Sequence, residues 1–413
     1  MVATGKTVNS LASGARRVSR RLVASYVLDW ISIAAIAAVG GALSRVHGAK
    51  HAFSLQDPSI SYPYHDDTVS IGVVVIVCLV APGIITAIIS LLFIPGPTVH
   101  RSTPRSLIWR RKIWEWNTAW MGLGLSLASA LLLTEGLKDL AGKPRPMMLA
   151  VCDPDTSPES LARYKVGGLG SSLGSAVPIV VDWHICRNTD ASQLRNAFAS
   201  WPSGHSSFSW AGMLYLSLFL CAKFAIHIPL MPASSYNSRR YISTFDEEEE
   251  HDGHDEDEDP SKRLRSASSS PQPPSHPPRN EAAAPPVYLF IIAFIPIGVA
   301  LFIATSRWFD YKHHGFDIIS GSLIGIVTAW VGFRWYHLPI QGGSGWAWGA
   351  RSRDRAFWLG VGRANYVGEE GWESARVANG GTHRDVEAGG HVVGAGLPDQ
   401  RESIETGVSG ARS

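Results

Sequence analysis

Six long apolar runs, held apart by polar connections, constrain this 413-residue chain more than any other feature of it. A bilayer core of about 30 Å takes roughly 20 apolar residues as helix. Residues 24–44, 69–94, 114–137, 206–228, 287–305 and 316–336 meet or approach that length. Pro82 and Pro296 fall inside two of the runs, which does not argue against helix, because neighbouring helices in a membrane bundle can satisfy the backbone groups a proline frees. Buried core helices of a large soluble protein fit six such runs poorly. The expected fold is all-α: an integral-membrane bundle of six transmembrane helices over residues 24–337, preceded by a basic segment 1–23 and followed by a tail 338–413.

Net charge, at +2, says little, but the distribution of charge is informative. Arg16, Arg17, Arg20 and Arg21 precede the first run, with no acid until Asp29. That start reads as a cytosolic flank of an uncleaved first span; an Arg- and Ser-rich, acid-poor start also fits a transit peptide. Arg101, Arg105, Arg110, Arg111 and Lys112 lie between the second and third runs, so the excess of cations in cytosolic loops puts that connection inside. Alternation then places the first loop, the third loop (138–205) and the fifth loop (306–313) on the opposite face, with both termini cytosolic. An insert over about 236–284 carries the acidic runs 246–250 and 255–259 and a Ser/Pro-rich stretch, a composition too polar to bury a core, and is expected to be disordered. The Gly-rich tail after Gln341 is expected to be disordered too, despite Trp346, Trp348, Trp358 and Trp372. No basic footprint for nucleic acid stands out.

Three clusters at the ends of runs carry chemistry, and the charge argument puts all three on one face. Lys138 is followed after six residues by Arg145, with Lys143 and the stiffening Pro144 and Pro146 between and beside them. These cations suit a phosphate, although a plain basic flank of the membrane edge has the same composition. Pro202, Ser203, Gly204 and His205 open the fourth run. Ser203 supplies a hydroxyl, Gly204 lets a backbone amide approach an anion, and the helix N-terminus adds its free amides; an ordinary Ser-capped helix start would look the same. Ser306 and Arg307 are followed after five residues by His313, and after three more by Asp317. If His313 and Asp317 share the first turn of the last helix, the carboxylate holds one ring nitrogen and leaves the other free to attack. His314, three residues from Asp317, is the alternative partner.

In order and spacing these clusters resemble the three motifs of the type 2 phosphatidic acid phosphatase (PAP2) superfamily, in particular fungal lipid phosphate and diacylglycerol pyrophosphate phosphatases. The likeness extends to Asp29–Trp30, to Phe53, Leu55, Asp57, Pro58, Tyr62 and Pro63, and to residues 134–136. Departures include Lys143, Met147–Met148 and Gly315, and they bear on substrate preference. The resemblance implies a bundle of the PAP2/haloperoxidase type that hydrolyses phosphatidic acid, diacylglycerol pyrophosphate or lysophosphatidic acid. His313 would be the nucleophile, Asp317 its support and His205 the proton carrier. Lys138, Arg145, Ser203, Gly204 and Arg307 would hold the phosphoryl oxygens, with no metal and no cofactor. It also implies a vacuolar, endoplasmic reticulum/Golgi or plasma membrane, with the site on the lumenal or extracellular face and membrane lipids as surroundings. Isoprenoid, sphingoid or soluble sugar phosphates remain alternative substrates. A non-catalytic lipid-phosphate binder or transporter is the alternative class, since intramembrane polar residues also mark transport paths; such a protein would need the cations but neither nucleophile nor proton carrier.

Of the four cysteines, Cys78 and Cys221 fall inside runs, and Cys152 and Cys186 in the third loop. An oxidising exterior makes the loop pair a candidate disulfide, with two free thiols as the alternative.

Overall fold

The computed structural model describes residues 19–96, 103–166, 179–228, 284–341, 345–351 and 356–357. The basic segment before residue 19, most of the expected disordered insert and the tail beyond residue 357 lie outside these. The described helices are α1 (Arg20–Leu43), α2 (Ile71–Leu92), α3 (Arg105–Ala141), the short α4 (Met148–Cys152), α5 (Pro158–Tyr164) and α6 (Ala191–Ala197), then α7 (Gly204–Lys223), α8 (Val287–Phe309) and α9 (Gly315–Tyr336). The described residues are thus mostly helical. Among the described residues, α1, α2, α3, α8 and α9 are long and apolar enough to cross a membrane. Their outward residues, such as Ile71, Leu92, Ile291 and Trp330, are largely exposed, a surface that water would disfavour and lipid accepts.

The fourth expected span, α7, is not among those five, and its place in the bundle explains why. It packs against α3, α8 and α9 and touches α2, so it needs little lipid-facing surface and carries buried Ser206, Ser207, Ser209 and Ser217 instead. Serines also fasten it to its neighbours: Ser126 Oγ of α3 donates to Ala211 O, and Ser217 Oγ donates to Ala293 O of α8. Small residues then let the backbones close up, as they do where no hydrophobic force separates helices from lipid. A Cβ on Gly321 would lie 2.5 Å from Ser203 O, and one on Gly325 would lie 2.4 Å from Ser207 O. These two glycines seat α9 on the start of α7.

Two local departures from the sequence reading have physical causes. Pro82 lacks the N–H that would bond the carbonyl of Cys78; α2 passes through a π-helical turn over Ile76–Val80 just before it. The basic connection between the second and third runs is helical from Arg105, nine residues before the expected start, because its Arg, Lys, Leu and Ile residues favour helix and nothing stops a helix at the membrane edge.

At one end of the bundle the first and third loops build a cap. Phe53–Ser54 pairs antiparallel with Val180–Val181, and Phe53, Ile60, Met148, Cys152, Val181, Ile185 and Phe198 form its buried core. Cys152 and Cys186 are bonded to each other across 34 residues, while Cys78 and Cys221 are free and buried. Closing a loop of that length removes unfolded-state entropy worth roughly 3 to 4 kcal/mol. Replacing both bonded cysteines by alanine is expected to lower hydrogen-exchange protection across 148–198 while leaving the long helices protected.

At the other end residues 345–351, expected to be disordered, are packed onto the bundle. Glu115 of α3 and Lys223 of α7 form a buried ion pair at 2.5 Å whose spare valences recruit this segment: Ala347 N donates to Glu115 Oε1 at 3.1 Å and Lys223 Nζ donates to Gly345 O at 2.6 Å. Arg351 also pairs with Asp29 at 2.7 Å. Buried charges need partners, a demand invisible in the composition of the tail.

Candidate active site

Beneath the cap the three clusters meet. The last turn of α3 supplies Lys138, whose Nζ donates to Glu135 Oε1 at 2.6 Å; a Cβ on Gly204 would lie 2.9 Å from that ammonium. The first cluster therefore abuts the second, the Lys138 ammonium lying directly against the Gly204 backbone. Beyond the helix, Arg145 is held by its backbone N–H to Ala197 O. It is 6 % exposed, and its Nε is buried without a hydrogen-bond partner. Burial, with Arg307 nearby, pushes the Arg145 guanidinium down to about 10, so it stays charged at neutral pH.

Ser203 caps α7, its Oγ accepting from Ser206 N, and its own N–H donates to Asp317 O at 2.9 Å. His205 follows in the first turn with Nε2 3.1 Å from Val69 O. A carbonyl only accepts, so Nε2 carries the proton.

The third cluster departs from the expected arrangement. Helix α9 starts at Gly315 with His314 as its cap, so His313 precedes the helix and Asp317 is its third residue. Among the described residues Asp317 makes no hydrogen bond to His313. Its carboxylate is drawn into a capping box, accepting from His314 N at 3.0 Å, and its other valences go to Lys143 Nζ at 2.7 Å, Ser200 Oγ at 2.6 Å and His314 Nδ1 at 3.1 Å. Helix register, which spacing alone does not settle, decided this. The group that holds the His313 ring is the backbone carbonyl of Ser200, 2.6 Å from Nδ1. Nδ1 must therefore be the protonated nitrogen, and Nε2 makes no hydrogen bond among the described residues. Ser200 is fixed in turn by its hydroxyl on Asp317 and its N–H on Lys143 O, so Asp317 supports the histidine through one intervening residue. Burial, together with the charges of Arg145, Arg307 and Lys138, pushes the His313 imidazole well below its usual value, which keeps the Nε2 lone pair available at neutral pH.

Arg307, 2 % exposed, pairs through Nη2 with Asp67 Oδ1 at 3.0 Å and lies 3.5 Å from Asp310 Oδ2; its Nε is buried without a partner. Asp310 also accepts from Thr68 N and Thr68 Oγ1. This clamp sets the segment 67–69 across the site, where Asp67 meets Arg307 and Val69 meets His205. Sequence reasoning missed Ser200, Asp67, Asp310 and Lys312. A second acid beside Asp66 in the first loop, and a lysine beside the histidine, were the available signals; a backbone carbonyl at Ser200 leaves none. Among the described residues, no group of three or more His, Cys, Asp or Glu could hold a metal ion.

The site thus sets a histidine with an open Nε2 beside several cations, under a loop cap at one end of a helical membrane bundle. The model of the PAP2 superfamily matches residues 119–340. A PA-phosphatase related-family protein of Dictyostelium discoideum is 34 % identical over 49 % of this chain and 53 % of its own length, so the alignment spans about half of that relative. Diacylglycerol pyrophosphate phosphatase 1 of Saccharomyces cerevisiae is 24 % identical over 70 % of this chain and 72 % of its own. Phospholipid phosphatase 2 of Mus musculus is 28 % identical over 69 % and 76 %. No solved structure matches the chain. The chain belongs to the PAP2 superfamily, and with it to the phosphatases built as membrane helical bundles.

Proposed function

We propose that the chain hydrolyses lipid phosphates, phosphatidic acid and diacylglycerol pyrophosphate foremost and lysophosphatidic acid with them, through a phosphohistidine on His313. The observation that carries this reading is the His313 ring, held at Nδ1 by Ser200 O and open at Nε2 in a pocket of cations. The relatives named for phosphatidate, pyrophosphate and lipid phosphate cleavage support the substrate class.

In the first step Nε2 of His313 attacks phosphorus in line, and the bond to the leaving oxygen breaks. The positive charge that develops on the imidazole is met by Ser200 O, backed by Asp317. Arg145 and Arg307 offer buried guanidinium N–H groups, and Lys138, Ser203 and the Gly204 amide complete a cradle for the three equatorial oxygens, where transition-state charge is spread. His205, made an imidazolium by the bound phosphate dianion, gives one proton to the lipid alkoxide and is left neutral. In the second step it takes a proton from water, which displaces His313 and releases phosphate. On this reading the charge pattern and the Cys152–Cys186 bond support a six-span topology with the cap and site on the non-cytosolic face and both termini in the cytosol.

Phosphate release from the purified full chain, in mixed micelles of each lipid phosphate, tests the proposal. Turnover is expected, and is expected to persist in excess chelator because fixed cations neutralise the phosphoryl group. Activity lost on chelation and restored by magnesium would contradict the mechanism.

A further inference from the structure

One buried cation of this site has no part in the mechanism above. Lys312, next to the nucleophile, is 3 % exposed, yet among the described residues its ammonium makes no hydrogen bond. It has one ion pair, to Asp67 Oδ1 at 3.8 Å, and lies 3.9 Å from the Tyr64 ring centroid. The same Asp67 oxygen accepts from Arg307 Nη2 at 3.0 Å. Two buried cations thus share one carboxylate oxygen; with Arg145 also acting on Lys312, three cations face the two carboxylates of Asp67 and Asp310, which leaves positive charge in excess and marks a spot where an anionic oxygen bridges Lys312 and Arg307. Asp67 itself is 40 % exposed in a loop and is free to be displaced into solvent. Its position relative to His205 matters: His205 bonds Val69 O, two residues along the same strap, so this spot stands on the side where the leaving group departs.

We infer that Lys312 and Arg307 form a subsite for a leaving group that is itself a phosphate, with the Asp67 carboxylate as its stand-in when no substrate is bound, and that Lys312 is the residue that favours diphosphate over monophosphate substrates. This rests on the reading of the site as a lipid phosphatase. In a diphosphate, the bond between the terminal phosphorus and the bridging oxygen breaks as the bond from His313 Nε2 forms. The electron pair stays on the bridging oxygen, which becomes a non-bridging oxygen of the departing phosphomonoester. That anion needs a cation more than it needs a proton. A monoester instead expels an alkoxide, which needs the proton of His205 and gains little from Lys312. Burial lowers the Lys312 ammonium from its usual value, which is consistent with a cation held ready for an anion.

The test measures kcat/KM of the full chain on diacylglycerol pyrophosphate and on phosphatidic acid, side by side. Lys312→Met is expected to lower the diphosphate value about tenfold or more and the monoester value far less, so the monoester activity also reports folding; Lys312→Arg is expected to restore the ratio. Should Lys312→Met not fold, Asp67→Asn serves: removing the competing carboxylate is expected to lower KM for the diphosphate more than for the monoester. Equal losses on both substrates, an unchanged ratio, or a diphosphate KM that does not fall in Asp67→Asn would overturn the inference. A wild-type chain that cleaves phosphatidic acid alone would overturn it while leaving the proposed function standing, whereas a chain that cleaves neither lipid would remove the proposed function itself.

Discussion

His313→Ala is expected to lower turnover on every lipid phosphate by on the order of a thousandfold or more, with the fold retained. The buried ring makes one hydrogen bond among the described residues, from Nδ1 to Ser200 O, so its loss removes the attacking nitrogen and a single polar contact. Residual activity is expected to be small because the cradle alone cannot form the covalent intermediate. His314→Ala is the control on register. His314 caps α9 and donates to Asp317, and losing a helix cap costs about 1 kcal/mol, so its effect is expected to stay within about tenfold. Steady-state kinetics of the two variants at equal folded concentration separates them. An essential His314 beside a dispensable His313 would mean that the wrong ring has been assigned the attack.

His205→Ala is expected to cost a comparable factor, on the order of a thousandfold on phosphatidic acid, for a different reason. As an imidazolium, with Nε2 held against Val69 O, His205 supplies the proton that neutralises the alkoxide in the first step, and the neutral ring left behind activates water in the second. With a diphosphate substrate the leaving phosphate needs no proton, so the first step should suffer less than the second and the phosphorylated enzyme should accumulate. Rapid-quench kinetics on both lipids checks this: a burst on the diphosphate, with none on the monoester, is expected. Equal suppression of the burst on both substrates would mean that the leaving phosphate needs the proton of His205 as much as the alkoxide does.

The residues proposed to carry the chemistry were legible in part, because phosphate chemistry restricts them to a few side-chain types at span ends: type and spacing single out His205, Arg145 and Arg307 and leave His313 and His314 as alternatives, between which the resemblance to the PAP2 motifs chooses. Those that act by geometry were not. Asp317 looked like the partner of His313 at a spacing of four, but α9 begins two residues after His313, and a carboxylate at the third helical position finds the backbone N–H of the cap first. The actual partner, Ser200 O, is a main-chain atom that any residue type would provide. Asp67 reaches Arg307 from 240 residues away, through a strap held by Asp310, and nothing local announces that. Among the helices, lipid-facing apolarity signalled α2 and α8 well and α7 least, because the most interior helix of a membrane bundle trades apolar residues for serine.

Alkaline quench of the full chain during turnover of lipid labelled with radioactive phosphorus in its terminal phosphate, followed by peptide mapping, measures the central claim, since phosphohistidine survives base. The label is expected on the peptide carrying His313, more abundant in His205→Ala with the diphosphate and absent in His313→Ala. A catalytically competent enzyme that carries no label at His313 under these conditions, or carries it on another residue, would contradict a mechanism through His313.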